Sequence, residues 1–185
     1  MIIGFTGQAG CGKDTAGLIL IRKLRYTKVS FATPIKDGLS KIFEWPAAFL
    51  AQNHEEREKP FMLGDLELPS PRIMMQTLGT EWGRQCIHED IWVALAQRQI
   101  EEENLKRVVF TDIRFPNEAK WIQAMGGWVI EVIRPNAPGV AEHKSEAGLS
   151  HNLIDFTIMN DGSQSQFEKN VLKEVQDKMR AEDKA

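Results

Sequence analysis

Apolar and polar positions along this chain alternate between two periods. Five short apolar runs, at residues 2–6, 28–31, 107–112, 128–133 and 154–159, have the length of strands. Between them lie segments with helical spacing. Residues 15–24 set Leu18, Ile21 and Leu24 on one face; residues 118–125 form a second such segment. Residues 164–179 do the same with Phe167, Val171, Leu172 and Val175. Strands alternating with helices predict an α/β fold in three layers, a five-stranded parallel sheet with helices on both faces. Thr33-Pro34 and Ser70-Pro71 each read as a cap followed by proline at the first helical position, and Gly126-Gly127 stops a helix just before the fourth strand.

The alternation is interrupted once. Residues 33–105 carry helical and loop patterns but no predicted strand, which reads as a mostly helical substrate lobe inserted at one edge of the sheet. The expected organisation is a single domain: a core of about 1–32 and 106–185, the lobe at about 33–105, and a short lid at about 135–151. The lid segment is rich in glycine, proline and polar residues, a composition suited to movement. The run Glu101-Glu102-Glu103 is read as a solvated helix end.

The chemistry enters at the first strand–helix junction. Gly7, Gln8, Ala9, Gly10, Cys11, Gly12 and Lys13 fit the spacing GxxxxGK of a phosphate-binding loop. Glycines let backbone amides come close to phosphates, the helix N-terminus adds partial positive charge, and Lys13 reaches the β- and γ-phosphates. The residue after the lysine departs from the usual Ser or Thr: Asp14 stands there, followed by Thr15. Both offer hard oxygen atoms, so Asp14 and Thr15 are candidates to hold Mg²⁺ directly or through water; a helix cap is the simpler role for Asp14.

Strand ends supply the rest of the site. Asp112 ends the third strand and is the candidate for orienting Mg²⁺ or the attacking oxygen, with Arg114 two residues on. Arg134 ends the fourth strand and, with Lys144 in the lid, is a candidate to neutralise the phosphoryl group in transfer. Asn160, Asp161 and Gly162 follow the fifth strand and are expected near the base of the bound nucleotide; the same residues also make an ordinary turn. In the lobe, Arg72 and Gln76 share a helix face, and Arg84 follows a break at Gly79. These offer guanidinium forks for an acceptor phosphate and an amide for a base edge, with Trp82 or Trp92 as a stacking surface.

Composition narrows the classes. The chain is 42% hydrophobic and 26% charged with a net charge of −3, so no basic stripe marks a nucleic-acid polymer as partner. Cys11 and Cys86 form no paired or ligand spacing, and His54, His88, His143 and His151 show no zinc pattern. No apolar run reaches the roughly 18 residues of a membrane helix. A reducing, cytoplasmic setting is expected.

Taken together, GFTGQAGCGKDT (residues 4–15), SPRIMMQTLGTEWGRQCIHEDIWV (70–93), VVFTDIRFPNEA (108–119), HKSE (143–146) and IMNDGS (158–163) resemble the phage deoxynucleoside monophosphate kinases, within the wider nucleoside monophosphate kinase group. The resemblance implies a P-loop kinase fold and transfer of the ATP γ-phosphate to a deoxynucleoside monophosphate, with Mg²⁺. It also implies Trp92, Lys144 and Glu146 on the acceptor side with Arg72, Gln76 and Arg84, a host-cytoplasmic location, and a homodimer as an open possibility. Kinases of other phosphorylated acceptors, such as dephospho-coenzyme A or phosphomevalonate, share the loop and the sheet. A nucleotide-driven switch or motor subunit and a non-hydrolysing nucleotide-binding module are the alternatives of another class.

Overall fold

The computed structural model of the chain describes residues 1–46, 49–52, 54–135 and 148–182. They form two compact units, residues 1–30 with 98–185 and residues 31–97.

The first unit is built on a parallel sheet. Strand β1 (Ile2–Thr6) is followed by helix α1 (Lys13–Leu24) and β2 (Thr27–Lys28); β5 (Val108–Phe110), helix α7 (Pro116–Ala124), β6 (Trp128–Ile133), β7 (Phe156–Met159) and helix α8 (Gln164–Glu182) complete it. The order across the sheet is β2-β5-β1-β6-β7, every neighbouring pair parallel. Ile3 pairs with Val109 on one side and Trp128 on the other, so β1 is central. All five residues of β1 and all three of β5 are buried, as strands covered on both faces require.

Alternate residues of the sheet feed two cores. Ile3, Phe5, Ile130, Val132 and Ile158 pack with Leu20 of α1 and Phe167, Val171 and Val175 of α8. On the opposite face Ala119 and Ile122 of α7 are fully buried, and the Ile113 and Ile122 side chains press so closely on Gly4 that a Cβ there would meet them at 2.0 and 2.7 Å. The Phe110 and Trp121 rings meet edge to face at 5.8 Å. Helices therefore lie on both faces of the sheet.

The observed strands are shorter than the apolar runs. The run at 28–31 pairs as Thr27–Lys28, with Val29 donating one more bond to the Val109 carbonyl over 3.1 Å. The fifth strand begins at Phe156, because Ile154 closes a 3₁₀ turn at His151–Leu153. Helix α1 starts at Lys13, two residues ahead of its apolar pattern, since polar first-turn residues carry no periodicity.

The second unit contains α2 (Thr33–Ile42), short helical turns α3 (Phe49–Gln52) and α4 (His54–Glu58), β3 (Phe61–Leu63), β4 (Leu66–Leu68) and α5 (Pro71–Gln76). An 11-residue π-helix (Thr77–Ile87) and most of α6 (Ile91–Glu102) follow. Three expectations are corrected here. The unit does hold strands: β3 and β4 form an antiparallel hairpin turning at Gly64, whose φ is +61°. Each strand has only three residues, and Met62, Leu63 and Leu66 are all exposed, so no inside–outside alternation marked them. Thr33 does not cap α2; Ala32 takes that place without a side-chain bond, and Pro34 sits one position further in. Gly79 does not break the chain's helical course but lies buried within the π-helix. The Ser70 cap does form, its Oγ accepting from the Ile73 amide over 3.4 Å.

Phe43 stacks on Trp45 at 4.8 Å, and Phe61 meets Trp45 edge on at 4.9 Å, which ties the hairpin to the end of α2. Among the described residues no helix is long and apolar enough to cross a membrane.

Candidate active site

The phosphate loop leaves the central strand at its C-terminal end, where parallel α/β sheets bind ligands. Two glycines make its path possible. Gly7 has φ +127°, and a Cβ on it would lie 2.4 Å from the Val132 carbonyl oxygen. Gly12 has φ +115°, and a Cβ on it would lie 2.6 Å from Asn160 Nδ2. Any side chain at either position meets both a strained backbone and an occupied space. Gly12 caps α1 with no side chain, so the first-turn amides of the helix remain open to an anion. Cys11 is a buried packing residue here, its amide bonded to the Gln8 carbonyl over 3.2 Å.

Lys13 folds back over this loop. Its Nζ donates to the Gly7 and Gln8 carbonyls, each over 2.7 Å. The ammonium is thereby fixed at the loop instead of trailing into solvent. Arg134, at the end of β6, reaches the same loop with Nη1 3.5 Å from the Gly10 oxygen, at the long limit of a hydrogen bond. Asn160 at the end of β7 reaches it too, donating from Nδ2 to the Cys11 carbonyl over 2.8 Å. Ala9 and Gly10 are exposed at the loop's tip; Asp161 and Gly162 are exposed beside Asn160.

Asp14 faces the neighbouring strands. Thr111 Oγ1 donates to Asp14 Oδ1 over 2.7 Å, and Lys28 Nζ contacts the same oxygen at 2.9 Å. Burial opposes the charged form of Asp14. The hydrogen bonds from Lys28 and Thr111, with the charges of Lys28 and Lys13, outweigh it and hold the carboxyl below its ordinary value. Asp112 follows Thr111 directly, and its Oδ2 accepts from Ser30 Oγ over 2.7 Å. Asp14 and Asp112 are thus carried by adjoining elements of one strand-end cluster. Thr15 is half-buried in the first turn of α1.

This donor set fits Mg²⁺. Carboxylate and hydroxyl oxygens suit the ion, which takes one or two carboxylates and completes its shell with phosphate oxygens and water. Among the described residues no group of three or more His, Cys, Asp or Glu side chains comes together as a closed metal cage.

Arg114 is exposed, and its backbone is held by Glu118. That carboxylate is buried, 2% exposed, and its Oε2 accepts the amides of Arg114 over 2.8 Å and Phe115 over 3.0 Å. Thr6 Oγ1 donates to the Ile113 carbonyl over 3.2 Å, tying the same turn to the end of β1. No sequence pattern marks Lys28, Ser30 or Thr111 as part of the site. Only Glu118 left a signal, a glutamate two residues beyond the helix-starting Pro116.

The candidates of the second unit stand as follows. Arg72 Nη1 bonds Glu58 Oε1 over 2.9 Å, and Gln76 lies one turn on in α5. Arg84 Nη1 donates to the Glu89 carbonyl over 2.9 Å. Trp92 offers no stacking face: it is 4% exposed, its Nε1 donates to the Gly79 carbonyl over 2.7 Å, and its ring lies against Gly83. Trp82, 49% exposed, is the open indole of the segment. Lys144 and Glu146, and nearly all of the expected lid, lie outside the described residues.

Known proteins resemble the chain along most of its length. The deoxynucleotide monophosphate kinase family model matches residues 50–171, a stretch that begins beyond the phosphate loop and is therefore independent of it. The deoxynucleoside-5'-monophosphate kinase of Escherichia phage T5 is 33% identical, over 86% of this chain and 89% of the phage protein. A protein of Acanthamoeba polyphaga mimivirus that carries the deoxynucleotide monophosphate kinase name is 30% identical over 93% of this chain and 94% of its own length. Among solved structures, dephospho-CoA kinase from Campylobacter jejuni superposes with a TM-score of 0.52 at 19% identity over 98% of both chains, which shows a shared kinase fold. With its P-loop, its parallel sheet and this family match, the chain belongs to the deoxynucleotide monophosphate kinases.

Proposed function

We propose that the chain phosphorylates deoxynucleoside 5'-monophosphates, moving the γ-phosphoryl group of ATP to the acceptor phosphate to give the diphosphate and ADP. The observation that carries this reading is the agreement of two separate parts of the chain. The phosphate loop at residues 7–13 and the family match at residues 50–171 share no residue, yet both point to nucleotide phosphorylation.

An acceptor phosphate oxygen is already a nucleophile at neutral pH, so no covalent enzyme intermediate is required. The oxygen attacks Pγ, the bond from Pγ to the β,γ-bridging oxygen breaks, and ADP departs. Catalysis is then positioning plus neutralisation of charge. Lys13 meets the β- and γ-phosphates, the open amides of α1 meet the remaining oxygens, and Arg114, in the turn before α7, and Arg134, just after β6, offset charge in transfer. Asp14, Thr15 and Asp112 would hold Mg²⁺, which when bound would offset the negative charge of the phosphates. Arg72 and Arg84 take the acceptor phosphate, Gln76 reads a base edge, and Trp82 replaces Trp92 as the stacking surface. Lys144 and Glu146 complete the acceptor side. Polymeric nucleic acid and membranes have no part in this reaction, which belongs to the cytoplasm, that of the host cell if the chain is viral.

The test is a set of initial rates for each deoxynucleoside monophosphate, with dephospho-coenzyme A as a control acceptor, in wild type, Arg72→Ala and Arg84→Ala. Loss of a guanidinium–phosphate contact should raise the acceptor KM at least about tenfold, about 1.4 kcal/mol, with little change in the ATP KM. Wild-type behaviour in both variants contradicts the acceptor assignment.

A further inference from the structure

We propose that Asn160 is a positioning residue for the phosphate loop: it sets the direction of the Gly12 amide, and the β7–α8 connection acts on ATP through that amide instead of through the base. The inference rests on ATP as the phosphoryl donor.

The backbone of Asn160 is fixed first. Its amide donates to the Ile133 carbonyl over 2.8 Å, extending the β6–β7 ladder by one residue. Its side chain is half-buried and turned onto the phosphate loop, where Nδ2 donates to the Cys11 carbonyl over 2.8 Å. A carbonyl can only accept, so the partner settles which end of the Asn160 amide faces the loop. The fit is close on both sides. The missing Cβ of Gly12 would lie 2.6 Å from Nδ2 and 3.4 Å from the Phe167 ring, which is itself 2% exposed.

Peptide geometry carries the consequence. In a planar trans peptide the C=O and the next N–H point in opposite directions. Holding the Cys11 oxygen on Asn160 therefore aims the Gly12 amide away from Asn160. That amide has no protein acceptor among the described residues. It stands first in the row of open amides at the start of α1, the row an anion meets. Gly12 lacks a Cβ and populates several backbone wells readily, so the Cys11–Gly12 peptide can flip unless something holds it. Asn160 selects one orientation.

The two readings of Asn160 separate when the base is removed from the ligand. Calorimetric titrations at fixed Mg²⁺ would compare ATP with inorganic tripolyphosphate in wild type, Asn160→Ala and the isosteric non-donor Asn160→Asp. Both ligands should weaken by the same factor in Asn160→Ala, about tenfold for the loss of one hydrogen bond that orients an amide, and further in Asn160→Asp. Titration separates affinity from the fraction of competent molecules, so a variant that folds poorly lowers the stoichiometry and leaves the Kd ratio readable. Weakened ATP with unchanged tripolyphosphate would return Asn160 to the base, and unchanged affinity for both would remove it from the site. A wild type that binds neither ligand would overturn the proposed function itself.

Discussion

Thr111 and Lys28 both engage one oxygen of Asp14, the hydroxyl over 2.7 Å and the ammonium at 2.9 Å. The side chain is 75% exposed, yet the elements packed beside it partly desolvate the carboxylate, and its hydrogen bonds and neighbouring charges still hold its pKa below the ordinary value near 3.8. A lowered folded-state pKa means that its contribution is present above the unfolded value and is lost as pH falls through the folded one. Asp14 therefore carries full charge throughout the neutral range. Replacing Lys28 by Met removes both a hydrogen bond and a charge that favour ionisation, so the Asp14 midpoint should move upward. Carboxyl-carbon NMR titration of the two proteins checks this; an unmoved midpoint would show that Thr111 and Lys13 alone set it.

Lys13→Ala should remove at least about a hundredfold of turnover, about 2.7 kcal/mol of barrier. The ammonium is fixed on the loop carbonyls, and among the described residues no other cation bonds that pair of oxygens. Circular dichroism should show an intact fold, because Lys13 is not among the buried core residues. A rate within about threefold of wild type would overturn the loop assignment.

Asp112→Asn preserves shape while removing charge two residues beyond β5, next to Thr111. The rate should fall strongly and the Mg²⁺ requirement should shift to higher concentration. The Ser30 hydroxyl can still donate to the amide oxygen, so stability should change little. An unchanged Mg²⁺ titration would make Asp112 a turn residue.

Glu118→Ala should destabilise the first unit by about 2–4 kcal/mol, because the amides of Arg114 and Phe115 lose one shared charged acceptor inside the protein. Chemical denaturation measures this directly. A loss below about half a kcal/mol would mean that water replaces the carboxylate without cost.

The legible parts of this chain are those fixed by neighbours in sequence. The five parallel strands rest on short apolar runs, most plainly β1 with all five residues buried, and the phosphate loop on seven consecutive residues, Gly7 to Lys13. What stayed hidden depends on distance along the chain. Ser30 meets Asp112 across 82 positions and Thr111 meets Asp14 across 97, and no periodicity records either pairing. Trp92 reads as a possible stacking surface until its ring is seen packed on Gly83 and its N–H on Gly79. The π-helix explains the misread glycine: bonds to the fifth residue widen the turn, and Gly79 remains inside it. Short strands with exposed apolar residues, as in β3 and β4, carry too few positions to show alternation.

The most direct measurement follows the phosphoryl group itself. ATP labelled in the γ-phosphate is incubated with Mg²⁺ and each deoxynucleoside monophosphate in turn, and the products are separated. The account predicts label in the β-phosphate of at least one deoxynucleoside diphosphate, with unlabelled ADP formed in equal amount, and initial rates of both lower by at least about a hundredfold with Lys13→Ala. Label released only as inorganic phosphate, or transferred to dephospho-coenzyme A and to no deoxynucleotide, would contradict it.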